Sequence, residues 1–155
     1  MELSGIKDKY RELQDKYSMP GFDELDTEFE IRDITNENTI LKEIKERILD
    51  NFDDYVKVLE GIVQPDTNVM NMYESRVFSD DEKIEVFRLY KRFIHLDRFA
   101  LQTKIEDGEA KMAEFINTAY KEWMSMKQQI LDIINRLKDE WTKEDDTKTD
   151  LGYLG

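Results

Sequence analysis

The sequence predicts an all-α fold: an up-down bundle of four helices, three long and one shorter at the N-terminus, with short connecting helices. Two observations indicate this fold. The 155 residues include only six Gly and two Pro, too few for the many turns of a β-sandwich or barrel. Apolar residues also recur every three or four positions through most of the chain, which is the period of an α-helix. A chain of this length is typical of one domain, predicted here at residues 1–141.

The first two predicted helices lie on either side of Pro20. An apolar stripe at spacings of three and four residues predicts a helix that ends near Tyr17. Pro20 cannot continue the backbone hydrogen bonding, so the helix ends before it. Phe22, Leu25 and Phe29 then recur at i, i+3 and i+7. This spacing predicts a short helix that buries these three side chains and turns its carboxylates outward.

The second long helix is predicted between Glu37 and Gln64, where a helical apolar stripe continues without a break. Pro65 is its stop signal. Residues 66–75 are ambiguous, and a short helix there would carry Val69, Met70 and Tyr73.

The third and fourth long helices are predicted as antiparallel neighbours. Ser79 and Glu82 have the spacing of a capping box, which marks the start of a helix that runs to Glu106. Asp107-Gly108 is the only break before a heptad stripe that ends at Trp141. So short a connection favours two helices packed side by side. The chain then becomes polar and charged, which predicts a flexible acidic tail at residues 142–155.

Composition limits the setting and the chemistry of the protein. The absence of Cys excludes disulfides, thiolate metal sites and cysteine nucleophiles. No apolar stretch is long enough for a signal peptide or a membrane span, so we expect a cytoplasmic protein without membrane contact. No Gly-rich phosphate loop occurs, and Arg92 stands three residues before His95 where a di-iron bundle needs Glu, so we expect no cofactor and no metal. A net charge of −13 opposes direct nucleic-acid binding.

Nearly half of the excess negative charge lies in residues 18–38, which we call the acidic segment. It holds seven carboxylates against the single cation Arg32. A carboxylate-dense surface over buried Phe22, Leu25 and Phe29 suits a basic protein partner. The sequence therefore favours a non-enzymatic interaction module, while solubility alone is the open alternative. Whether the protein is a monomer or a homodimer also stays open. The predicted contact residues are Asp23, Glu24, Asp26, Glu28 and Glu30.

The third helix carries a basic stripe, which consists of Arg88, Lys91, Arg92, His95 and Arg98. Arg88, Arg92, His95 and Arg98 are candidates for binding a phosphate, a carboxylate or an acidic partner. The alternatives are a solvated face or a surface that receives the acidic segment of the same molecule.

Asp97 lies at the centre of the apolar arc predicted for the third helix, an arc that includes Phe87 and Leu101. A buried carboxylate needs a partner, so we expect a bond to a Tyr hydroxyl or to Arg76, with a catalytic or ligand-binding acid as the alternative.

The enzyme alternative is a Mg²⁺-dependent all-α nucleotide pyrophosphohydrolase. It depends on two carboxylate pairs, Glu43-x-x-Glu46 and Glu82-x-x-Glu85, because such pairs on facing helices hold Mg²⁺. In a chain with 36 acidic residues these pairs also arise by chance.

Three segments, residues 20–31, 73–78 and 96–101, together resemble a group of small helical archaeal proteins of unknown function. Their sequences are PGFDELDTEFEI, YESRVF and LDRFAL. The resemblance covers the larger part of the chain and implies a helical fold and a cytoplasmic setting, but no activity.

Overall fold

A computed structural model of the chain describes residues 3–143 and 151–152. Over these residues the fold is all-α, with six α-helices, one short 3-10 helix at Glu37–Thr39 and no strand, which confirms the predicted fold class. None of the described helices combines the length and the apolar character needed to cross a lipid bilayer. The α-helices are α1 (Leu3–Tyr17), α2 (Phe22–Phe29), α3 (Ile40–Val63), α4 (Val69–Ser75), α5 (Asp80–Glu106) and α6 (Glu109–Glu140).

The chain divides into two compact units. Unit 1 comprises Met1–Asp53 and Ile94–Met124, and unit 2 comprises Asp54–Phe93 and Ser125–Gly155. The long helices α3, α5 and α6 each contribute residues to both units. The single domain at 1–141 and the up-down bundle stay predictions. The predicted tail at 142–155 lies almost wholly outside the described residues.

In unit 1, the short helix α2 is held by its apolar face. Phe22, Leu25 and Phe29 are all buried, as their spacing predicts. Phe29 packs edge-on against Phe52 of α3, with ring centroids 5.8 Å apart. The Tyr10 hydroxyl donates to the backbone carbonyl of Pro20, and burial raises the pKa of that hydroxyl. These contacts fix the entry to α2 and leave its carboxylates outward.

Non-glycine residues with positive φ directly follow three of the described helices. Ser18, Glu30 and Asp107 have φ values of 52°, 56° and 52° and stand directly after α1, α2 and α5. A left-handed residue closes a helix because its N–H turns back to an unpaired carbonyl of the last turn. The N–H of Glu30, for example, donates to the carbonyl of Asp26.

Unit 2 contains α4, the element that the sequence left ambiguous. Asn68 caps this helix by accepting from the backbone N–H of Asn71. Tyr73 stacks on Trp141, and the buried Ser75 donates to the carbonyl of Ile62. A Cβ on Gly61 would lie 2.8 Å from the Asn71 side-chain oxygen, so a larger residue there would displace the Asn71 side chain.

The predicted capping box at the start of α5 is confirmed. The backbone N–H of Ser79 donates to Glu82 at 2.9 Å, and the backbone N–H of Glu82 donates to the Ser79 hydroxyl at 3.2 Å. Arg136 also contacts the Glu82 carboxylate. Arg136 and the Ser79 backbone N–H lower the pKa of Glu82 to about 2.

Candidate functional site

The acidic segment follows the surface of unit 1, and two of its carboxylates share one cation. Arg32 binds Asp26 at 2.8 Å and Asp23 at 3.0 Å. Lys7 of α1 also binds Asp23 at 3.0 Å, and this contact is the main reason that the pKa of Asp23 is lowered. Asp23 nevertheless keeps 72% of its side chain exposed.

A second cation holds the end of the acidic segment to α3. Arg47 binds both carboxylate oxygens of Asp33, at 2.5 and 2.8 Å. The same guanidinium donates to the backbone carbonyl of Glu30 at 3.0 Å. The hydrogen bond from Arg47 lowers the pKa of Asp33. The segment is therefore attached to α1 through Asp23 and to α3 through Asp33.

Two carboxylates of α2 bind neutral donors on α6. Glu24 accepts from the Tyr120 hydroxyl at 3.2 Å, and Glu28 accepts from the Trp123 indole N–H at 2.8 Å. Burial, followed by the charge of Glu24, raises the pKa of Tyr120. A neutral donor orients a carboxylate without cancelling its charge.

The acidic segment holds seven carboxylates and one cation of its own, a net charge of −6. Its aspartates Asp23, Asp26 and Asp33 bind Lys7, Arg32 and Arg47. Glu30 is exposed in its left-handed position. The structure thus places the five predicted contact residues together on α2 and at its end.

The basic stripe is divided between the two units, and most of its members have intramolecular contacts. In unit 2, Arg88 binds Glu85 and Arg92 donates to the Ser125 hydroxyl. In unit 1, Arg98 binds Asp97 at 2.6 Å, while His95 is exposed. Asp23, Asp26 and Asp33 of the acidic segment bind Lys7, Arg32 and Arg47, which do not belong to the stripe. Anion binding by the stripe stays a prediction.

The prediction that Asp97 is buried is wrong. Its side chain is 46% exposed and its carboxylate binds Arg98, not a Tyr hydroxyl or Arg76. The predicted apolar arc counted Phe87 and Leu101, which are 44% and 47% exposed, and these two displaced its centre. The buried side chains of α5 follow a narrower stripe of Val86, Leu89, Phe93, Leu96, Ala100 and Thr103.

Three of the four carboxylates of the enzyme alternative have other contacts. Glu43 accepts from the Thr39 hydroxyl, Glu82 belongs to the capping box, and Glu85 binds Arg88. Among residues 3–143 and 151–152, no three acidic or histidine side chains are grouped as a metal ion would require.

Sequence reasoning missed Lys45, which lies at a cavity in unit 1. The cavity has a volume of about 450 Å³ and lies between α3, the end of α5 and the start of α6. Lys45 is only 8% exposed, and its ammonium lies 3.3 Å from the Thr103 hydroxyl oxygen. The sequence does contain an indication of this burial, because position 45 is four residues after Leu41 and three before Ile48, both buried on the apolar face of α3.

Comparison with protein-family models, with curated proteins and with solved structures finds no match to this chain. The resemblance to small helical archaeal proteins therefore stays a prediction.

Proposed function

We propose that this chain is a cytoplasmic, non-enzymatic interaction protein whose acidic segment binds a basic region of a protein partner. The contact residues are those on α2 and at its end: Asp23, Glu24, Asp26, Glu28 and Glu30. The chemistry of recognition is that of Lys or Arg side chains on the partner meeting a fixed array of carboxylates.

The observation that carries this proposal is the orientation of Glu24 and Glu28 by neutral donors. Tyr120 holds the carboxylate of Glu24 and Trp123 holds that of Glu28, and neither donor carries a charge of its own. Carboxylates that are already ordered lose little side-chain entropy on binding. Solubility alone requires negative charge but no such orientation.

A labelled peptide of eight arginines is a suitable probe, with binding followed by fluorescence anisotropy at low and at physiological salt. The test variant combines Glu24→Gln, Glu28→Gln and Glu30→Gln. Glutamine keeps the side-chain oxygen that accepts from Tyr120 and Trp123, so the change removes charge while preserving those hydrogen bonds. We expect binding to weaken about tenfold, which corresponds to about 1.4 kcal/mol.

The matched control combines Glu85→Gln, Asp132→Asn and Asp139→Asn, which removes the same charge from exposed positions of unit 2. This control should bind the peptide within about twofold of the unchanged protein, a difference of about 0.4 kcal/mol. Equal weakening by both triple variants would mean that net charge alone attracts the peptide, and the proposed contact surface would be rejected.

The Mg²⁺-dependent pyrophosphohydrolase remains an untested alternative that no contact of the described residues favours. A rise of the melting temperature on addition of Mg²⁺ would support it.

A further inference from the structure

A second candidate site lies in unit 1 at the cavity beside Lys45, and it does not depend on the acidic segment. The volume of about 450 Å³ is within the range of small-molecule sites. At the roughly 30 Å³ that each water takes in the liquid, it has room for roughly 15 non-hydrogen atoms. Part of its wall is apolar, formed by Leu49, Ala100, Leu101 and Met112.

The buried ammonium of Lys45 has little compensation within the protein. Thr103 accepts from it while donating its own proton to the backbone carbonyl of Ala100 at 2.7 Å. No carboxylate of the described residues lies within ion-pair distance of the Lys45 nitrogen. An ammonium has three protons to donate, so two remain for a ligand. A buried charge without a counter-ion is unfavourable, which makes this position one where an anion stabilises the protein.

The remaining charges at the cavity indicate how many negative charges the ligand carries. Lys42 and Lys104 line the cavity together with Lys45. Glu46 and Asp107, which also line it, offset two of these three positive charges. The third acidic lining residue is Asp97, which is neutralised by Arg98. One positive charge is left over, and it belongs to the most buried of the three lysines.

The geometry points to a site for a small organic acid: its carboxylate binds the Lys45 ammonium, and its apolar body lies against Leu49 and Met112. A single carboxylate matches the one uncompensated positive charge. The apolar wall favours an aliphatic or aromatic body over a sugar or a nucleotide.

Octanoate is the probe, because it joins one carboxylate to a short apolar chain. Titration into the full-length protein, labelled with ¹³C at the methionine methyl groups, should shift the Met112 methyl resonance in a saturable manner. The resonance of Met124, an exposed residue outside the cavity, should not move. A Met112→Leu variant assigns the signal. This test needs no substitution of Lys45, and the absence of a saturable Met112 shift would overturn the proposal.

Lys45→Met removes the charge and keeps a side chain of similar length, and we expect octanoate to bind at least tenfold more weakly. Lys121→Met is the matched control, because it removes one exposed positive charge of unit 1 that does not line the cavity. It should leave the affinity within twofold of the unchanged protein. Equal affinity of the Lys45→Met variant, or an equal loss in the control, would overturn the assignment of Lys45.

Two further probes test the ligand class. Octylamine carries the same apolar chain with the opposite charge, and inorganic phosphate carries negative charge without the chain. Both should shift Met112 at least tenfold less effectively than octanoate. Equal binding of octylamine would show that the site selects only the apolar chain. Tighter binding of phosphate would assign the site to a different anion.

Discussion

The acidic segment and the Lys45 cavity both belong to unit 1, yet they place charge in opposite environments. In the acidic segment, carboxylates such as Asp23 and Asp33 are largely exposed and have cations within hydrogen-bond distance. In the cavity, Lys45 is buried, and among the described residues its hydrogen-bond partner is a hydroxyl, that of Thr103. Exposed ion pairs contribute little to stability, because water already solvates both charges. Apolar anchors therefore hold the acidic segment in place, whereas the charge of Lys45 opposes folding.

The largest expected effect tests the anchoring of the acidic segment. Phe29 is buried against Phe52, so Phe29→Ala should lower the free energy of unfolding by about 3 to 5 kcal/mol. Asp33→Asn weakens the exposed pair with Arg47 and should change stability far less. Urea denaturation followed by circular dichroism measures both. A loss in the Asp33→Asn variant as large as that of Phe29→Ala would mean that ion pairs hold the segment.

The second prediction concerns Lys45 at the cavity, where a substitution should raise the free energy of unfolding instead of lowering it. Lys45→Met should raise the free energy of unfolding at neutral pH by about 1 kcal/mol, because it removes a buried charge while keeping the apolar stem. Lys42→Met, at an exposed position of the same cavity, should leave stability nearly unchanged. A clear loss of stability in the Lys45→Met variant would contradict the interpretation of an uncompensated charge.

The stability gained by Lys45→Met should depend on pH, and the pKa of Lys45 determines how. Burial lowers this pKa below 10.5, and the charges of Lys104 and Lys42 lower it further against the opposing effect of Glu46. The folded protein therefore loses the proton of Lys45 before the unfolded chain does. Stability rises with pH between the lowered pKa and 10.5. The gain from Lys45→Met should thus be full at neutral pH and should shrink as the pH rises through this window.

The smallest expected effect concerns the orientation of Glu24. Tyr120→Phe removes the hydroxyl that donates to this carboxylate and should lower the free energy of unfolding by about 0.5 kcal/mol. Burial and then the charge of Glu24 raise the pKa of Tyr120, so Glu24→Gln should bring that pKa part of the way back towards 10. A pH titration of the tyrosine ring signals, followed by NMR, measures the pKa of Tyr120. An unchanged pKa of Tyr120 would argue against the contact.

Much of the fold could be predicted from local patterns in the sequence. The anchors of α2 and the capping box of α5 depend on residues three to seven positions apart, and the structure has both. The position of Asp97 could not be predicted correctly, because exposed apolar side chains such as Phe87 contribute to a helical stripe without being buried.

The candidate sites depend on contacts that no local pattern contains. Trp123 binds Glu28 across 95 positions of sequence, and Lys45 meets Thr103 across 58. Periodicity could have placed Lys45 on the apolar face of α3, but a lysine there usually extends its ammonium to water along its apolar stem. The cavity that encloses it forms only when α3, α5 and α6 come together.

The left-handed residues at the helix ends affect the unfolded chain as well as the folded one. At Ser18, Glu30 and Asp107 a glycine would fit the positive φ without strain, at a gain of about 1 kcal/mol or more per residue in the folded state. Glycine would also give the denatured chain more conformations to lose on folding, which opposes that gain. Glu30 belongs to the proposed contact surface and Asp107 lines the Lys45 cavity, whereas the exposed Ser18 belongs to neither, so the end of α1 is a position for a spectroscopic label.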